Sequence, residues 1–253
     1  MTTATATERT RHVEHCMGTV FTIDVRGPGD WTAAIAAVVS WLHHVDRVFS
    51  TYDRDSDISR LRRREIRAAD ADPAVAEVLD LCADAQLETG GYFSALLDGR
   101  IDPTGLVKGW AVERASRLLR MHGSADHAVN GGGDIQLAGR PERGREWTVG
   151  IADPVRPGRV VTTVTGTDLA VATSGTSERG AHLLDPFTGR PITHLASATV
   201  VGPSLTRADA YATAAFVMGP TALDWIATRP GYAALLVDTA GRTLRSADCT
   251  DRP

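Results

Sequence analysis

An Asp and a Thr stand four positions apart in Ala208-Asp209-Ala210-Tyr211-Ala212-Thr213. On a helix this spacing puts both side chains on one face. Alanines at 208, 210, 212, 214 and 215 leave little bulk around them. A carboxylate with a hydroxyl is a hard-oxygen pair suited to Mg²⁺, with phosphate, carbonyl or water in the other positions. An Asp favoured by the helix dipole and a Thr bonding back to its own helix account for the pair more simply.

A second segment, Asp102-Pro103-Thr104-Gly105-Leu106-Val107-Lys108-Gly109-Trp110, runs into a helix. Free N–H groups and the dipole at a helix start suit a phosphate. A plain loop-to-helix junction fits equally well. Of the 27 Lys and Arg residues only one, Lys108, is lysine. Where arginine serves every generic positive charge, a single lysine points to a place where a guanidinium would not fit or would not serve. Chance survival is the alternative.

The glycines of Asn130-Gly131-Gly132-Gly133-Asp134 let backbone approach a ligand and expose N–H groups to anions. The spacing is not that of a dinucleotide-binding turn, and Gly-Lys-[Ser/Thr] is absent. A tight hairpin turn explains the segment best. The last candidate is the turn-rich stretch from Thr173-Ser174-Gly175 through His182-Leu183-Leu184-Asp185-Pro186 to Thr188-Gly189-Arg190-Pro191, which has the make-up of a binding loop. Within it, His182 near Asp185 has the form of a general base held by a carboxylate, although a lone His is more often structural. Zinc-protease and nucleophile-elbow motifs are absent.

These residues need elements to position them. Val20 to Val25 reads as a strand. Trp31 to Phe49 has helical apolar spacing, with Asp30 as its cap. Asp55 or Ser56 caps a short helix through Leu61, and Pro73 opens another that reaches about Glu88. Val107 to Met121 is a further helix. Short strands follow at His127 to Val129, Ile135 to Ala138, Trp147 to Ile151, Val160 to Val164, Ala170 to Thr173 and Ala196 to Val201. Arg207 to Met218 is a helix, and Thr221 caps one through Ala227. Tyr232 to Val237 and Thr243 to Arg245 form a closing hairpin. The order predicts an α+β fold in a single compact domain over 13–253, after a disordered tail over 1–12. No internal repeat is visible.

The chain has 253 residues, 43% of them hydrophobic, and a net charge of −4. Mean hydropathy is −0.12, and no apolar run is long enough to span a membrane. The only basic run, Arg60 to Arg64, reads as a solvated helix end, so no nucleic-acid surface is indicated. Cys16, Cys82 and Cys249 are too scattered for a disulfide framework. No secretory signal is seen at the N-terminus, so the expected location is cytoplasmic.

Taken in order, these segments resemble the ApbE family of FAD:protein FMN transferases. The likeness runs from His15-Cys16-Met17-Gly18-Thr19 to Met218-Gly219. It takes in Phe49 to Leu61, Thr89-Gly90-Gly91-Tyr92-Phe93, the lysine segment, Val129 to Ile135, Ala172 to Gly175, His182 to Gly189, and Ala208 to Thr213. The resemblance implies a T-fold-like domain with a flavin cleft. Met17, Tyr52, Tyr92, Phe93, Ser94, Asp102, Lys108 and Leu183 fall where the family contacts FAD. Asp209 and Thr213 match its magnesium ligands, joined by the Gly105 carbonyl, and His182 matches the base. Departures are Ser94 where Asp is frequent, Pro103-Thr104 before the lysine, Trp110 for Tyr, and Glu113 for Asp. The implied reaction moves FMN from FAD to a Thr or Ser hydroxyl of a flavoprotein bearing a Ser/Thr-Gly-Ala-Ser/Thr motif and releases AMP. An FAD pyrophosphatase and a non-enzymatic FAD carrier are the rival expectations.

Overall fold

The computed structural model describes residues 8–97, 99–175 and 184–246. Its chain opens with a hairpin of β1 (Arg9–Cys16) and β2 (Thr19–Arg26). The predicted tail over 1–12 is therefore too long, since Arg9 to His12 pair with Arg26 to Ile23. This strand carries no apolar pattern that would announce it. Its one aliphatic residue, Val13, is exposed, and its charged side chains suit a sheet edge. Two hydrogen bonds from the Arg9 guanidinium to Asp24, at 3.2 and 2.8 Å, fasten its first residue.

Then come α1 (Thr32–Phe49), α2 (Asp57–Arg62), α3 (Pro73–Glu88), the two-residue strands β3 (Leu96–Leu97) and β4 (Arg100–Ile101), and α4 (Thr104–Met121). The strands β5 (Asp126–Gly131) and β6 (Asp134–Ala138) follow, then β7 (Trp147–Ala152), β8 (Val160–Gly166), β9 (Ala170–Gly175) and β10 (Leu195–Gly202). The chain continues through α5 (Leu205–Met218), α6 (Ala222–Ala227), β11 (Ala233–Asp238) and β12 (Thr243–Arg245). The α+β expectation holds.

Eight strands form one sheet in the order β1-β2-β5-β6-β9-β10-β11-β12, and every neighbouring pair is antiparallel. The order is a duplication: two strands, a helical crossover, two more strands, twice over. The halves meet at β6 and β9, where the ladder pairs Ile135↔Val171 and Gln136↔Ala170 and Leu137 N donates to the Leu169 carbonyl at 2.8 Å. The repeat is invisible in the sequence because it lies in the connections.

The crossover helices α4 and α5 pack together on one face of the sheet. Small residues allow it: a Cβ on Gly109 would lie 2.7 Å from both Asp209 Cβ and the Leu205 carbonyl oxygen. Phe21, Ile23, Val129 and Ala172 of the sheet meet Leu106, Val112, Ala208 and Ala212 in the main core. On the other face, Trp147, Val149 and Ile151 of the β7–β8 hairpin cover Leu137, Val171 and Leu235. Burial alternates along β7, as in a strand with one covered face.

Helix ends follow the chemistry of their caps. Ser56 accepts from the Ser59 N–H, Asp72 from Ala74 just before Pro73, and Ser204 from Arg207. Asp30 accepts from the Thr32 N–H at 2.9 Å. Thr221 does not cap α6; its hydroxyl donates instead to the Met218 carbonyl. The helix α4 starts three residues before the predicted Val107, because Asp102 Oδ1 takes both the N–H and the hydroxyl of Thr104. At the end of α2, Arg60 pairs with Asp57 and Arg63 with Glu65, as a solvated helix end requires. Among the described residues, no helix is long and apolar enough to cross a membrane.

His127 of β5 is fully buried, with Ser116 Oγ 2.7 Å from Nε2 and Ser124 Oγ 2.9 Å from Nδ1. Burial, reinforced by Arg120, lowers its pKa to about 4. The unfolded chain takes up this proton more readily than the folded one. Stability is therefore complete above about pH 6.5 and falls as pH drops toward 4, by on the order of 3 kcal/mol. Urea midpoints should decline between pH 7 and 5, and His127→Gln should flatten that decline. An unchanged slope in the variant would remove His127 as the cause.

Candidate active site

Between the β1–β2 turn, the end of α1 and the start of α4 lies a cleft of about 730 Å³. Met17, Asp46 and Tyr52 line one side, and Thr104, Val107 and Lys108 the other. Met17 and Gly18 form a two-residue hairpin turn with φ of 53° and 68°. Positive φ is strained for Met, a cost on the order of 1 kcal/mol that is commonest at functional sites. Tyr52 is 91% exposed, with a face open to stacking.

One turn of α4 before Lys108, Gly105 faces α5. A Cβ there would sit 3.3 Å from Thr213 Oγ1 and 3.3 Å from the buried Phe93 ring. Thr213 Oγ1 lies 3.1 Å from Ser174 Oγ of β9. Asp209, buried on the same face of α5, accepts the Gly109 N–H at 2.8 Å. Gly105, Asp209 and Thr213 thus come together across the α4–α5 contact, with Ser174 beside them. Among the described residues, no three His, Cys, Asp or Glu gather as a metal cluster. An all-oxygen set with one carboxylate fits Mg²⁺, which keeps places for substrate phosphates and water.

Lys108 Nζ is 3.0 Å from Asp134 Oδ2, whose side chain is 1% exposed. The three glycines before Asp134 form the hairpin turn predicted for them: Gly132 and Gly133 have φ of 58° and 93°, and Gly133 N donates to Asn130 Oδ1. Asp134 and Ser174 were not singled out by the sequence. A charged residue directly after a two-glycine turn was the available signal for the first.

Glu113 points away from the cleft to the start of α5. Its Oε2 accepts from Ser204 Oγ at 2.8 Å, Thr206 N at 2.8 Å and Thr206 Oγ1 at 2.7 Å, and Arg117 pairs with Oε1. Burial pushes its carboxyl up, but these bonds outweigh burial and hold it below the usual carboxylate range. Its replacement of Asp thus bears on helix anchoring. Glu113→Ala should cost about 2–4 kcal/mol in denaturant unfolding, because it strands buried donors and frees the first turn of the helix carrying Asp209. A change under 1 kcal/mol (roughly the net worth of one neutral hydrogen bond) would contradict that role.

Tyr92, Phe93 and Ser94 lie outside the lining of this cleft. Tyr92 meets Phe187 edge to face at 5.1 Å, Phe93 is in the core, and the Ser94 hydroxyl is engaged with Leu96 N and O. Asp102 holds Thr104 through Oδ1 at the start of α4, and its Oδ2 lies 4.0 Å from Arg62. His182 and Leu183, the expected base and a flavin contact, lie outside the described residues. Asp185, expected to orient His182, accepts from Phe187 N and Thr188 Oγ1 at 2.8 and 2.9 Å, so its carboxylate organises its own turn. Cys16 is buried; burial first, then Asp46, pushes its thiol up to about 12, which leaves it unreactive.

Fold and site together define a cleft protein in which the start of α4, with Gly105 and Lys108, meets the hard-oxygen pair Asp209 and Thr213 of α5. The chain belongs to the ApbE family, whose model matches residues 17–99 and 96–236. A FAD:protein FMN transferase of Escherichia coli strain K12 is 30% identical over 161 residues, which is 60% of this chain and 46% of that protein. One from Treponema pallidum is 32% identical over 215 residues, 74% of this chain and 59% of that protein. The chain spans about half the length of the curated relatives it matches. Among solved structures, the ApbE protein of Thermotoga maritima has a TM-score of 0.84 at 23% identity and covers 95% of this chain and 98% of its own. The flavin transferase ApbE from Vibrio cholerae has a TM-score of 0.80 at 21% identity, with the same coverage. The fold is theirs.

Proposed function

We propose that this protein is a Mg²⁺-dependent FAD:protein FMN transferase, which moves the FMN half of FAD to a Thr or Ser hydroxyl of an acceptor flavoprotein and releases AMP. The observation that carries it is that Gly105 of α4 meets Thr213 of α5, and Gly109 meets Asp209, while Lys108 between them lines a cleft of about 730 Å³. The relatives named for this activity support the choice of reaction.

Held by the Gly105 carbonyl, Asp209 and Thr213, Mg²⁺ would neutralise charge on the FAD phosphates. Lys108 adds a point charge beside them. Met17 and Tyr52 hold the rest of the dinucleotide in the cleft. His182 takes the proton from the acceptor hydroxyl, whose oxygen attacks the phosphorus on the FMN side. The bond to the AMP phosphate breaks, and AMP leaves with that electron pair.

Chromatographic AMP release tests the reaction. With FAD and Mg²⁺, AMP should appear in step with added acceptor carrying a Ser/Thr-Gly-Ala-Ser/Thr motif. Equal AMP and free FMN without acceptor would make the protein a pyrophosphatase. FAD binding with no AMP under either condition would make it a carrier.

A further inference from the structure

The side chain of Asp134 is 1% exposed, yet it lies 3.0 Å from the ammonium of the only lysine in the chain. Its other oxygen, Oδ1, accepts the Thr173 N–H of β9 at 3.0 Å. The carboxylate is thus fixed by the sheet on one side and reaches α4 on the other. Thr173 is itself held, with Oγ1 2.9 Å from Thr199 Oγ1 of β10. The next residue, Ser174, lies against Thr213. One stretch of β9 therefore braces both the lysine partner and the candidate Mg²⁺ ligand. A buried carboxylate is expensive to keep unless it is paired and hydrogen-bonded, so its retention at this place calls for a reason.

We infer that Asp134 is a positioning residue for the transfer reaction, holding Lys108 Nζ at the cleft wall where it meets the pyrophosphate of FAD. The inference rests on Lys108 acting within an FAD site. A long, flexible lysine otherwise spends binding energy on being ordered, and the Asp134 contact orders it before the ligand arrives. The pair also accords with a lysine at this place: a compact ammonium with rotatable donors can meet the Asp134 oxygen and still present N–H groups to the cleft, whereas a guanidinium holds its donors in a fixed planar fork.

A double-mutant cycle tests it, with FAD affinity, kcat and KM measured for the whole chain and melting temperatures recorded beside them. Asp134→Asn keeps the size and the acceptor for Thr173 but removes the charge. It should lower kcat/KM for FAD about 10- to 100-fold, through a lysine displaced by an ångström or less. Made in a Lys108→Met background, the same change should have almost no further effect, because its target is gone. A full, additive loss in the double variant overturns the positioning role and makes Asp134 structural. A wild-type protein that neither binds nor turns over FAD sinks the parent reading instead.

Should the Asn variant fail to fold, amine acylation decides with the unmutated protein. Lys108 is the sole lysine, so mass added beyond the N-terminal amine reports on it alone. Held on Asp134, it should acylate at least about tenfold more slowly than free N-acetyl-lysine amide at the same pH, even without FAD. Labelling as fast as the free amine would overturn the inference.

Discussion

Asp209→Ala should remove Mg²⁺-dependent FMN transfer, with a fall of about 10³-fold or more. Several kcal/mol of phosphate charge stabilisation depend on the ion, and each 1.4 kcal/mol is about tenfold in rate. The carboxylate is the only charged group in the candidate set, so hydroxyl and carbonyl alone would hold the ion weakly. Asp209 also accepts the Gly109 N–H at the α4–α5 crossing, so Ala carries a structural cost as well. Asp209→Asn separates the two, since it keeps an acceptor for Gly109 and loses the charge. It should fold with a melting temperature near that of the parent and still transfer poorly. Unchanged Mg²⁺ dependence in the Ala variant would sink the metal assignment.

The second large effect falls on the proton. His182→Ala should bind FAD with nearly parental affinity and transfer FMN about 10²- to 10⁴-fold more slowly, which is the usual worth of a positioned general base. The pH profile supplies a separate check. Transfer by the parent should rise with pH as His182 loses its proton, and the variant should lack that limb. Full transfer activity in His182→Ala would rule the residue out as base. Asp185 should matter less to proton transfer than to the loop, because its oxygens serve Phe187 and Thr188.

The elements that the sequence revealed are those whose apolar residues repeat with the period of the structure. In α1, Val38, Leu42 and Val45 at helical spacing are all fully buried, and β7 alternates between buried and exposed. The Asp209–Thr213 pair was legible for the same reason, since i and i+4 share a helix face wherever the helix goes. What escaped depended on contacts across the chain. The edge strand β1 is specified by its ladder to β2 rather than by hydrophobicity. Asp134 gains its meaning only when β6 brings it to Lys108, 26 positions earlier in the chain. Glu113 departs from the family pattern, but its purpose appears only once Ser204 and Thr206 fold onto it. The duplication of the sheet likewise sits in strand order, which local pattern does not encode.

The most direct measurement is the intact mass of an acceptor domain bearing a Ser/Thr-Gly-Ala-Ser/Thr motif, incubated with the protein, FAD and Mg²⁺. The expected result is a gain of one FMN, abolished by EDTA and by replacing the acceptor hydroxyl residue with Ala. An acceptor of unchanged mass, with FAD cleaved to free FMN and AMP in the same tube, would contradict the transferase.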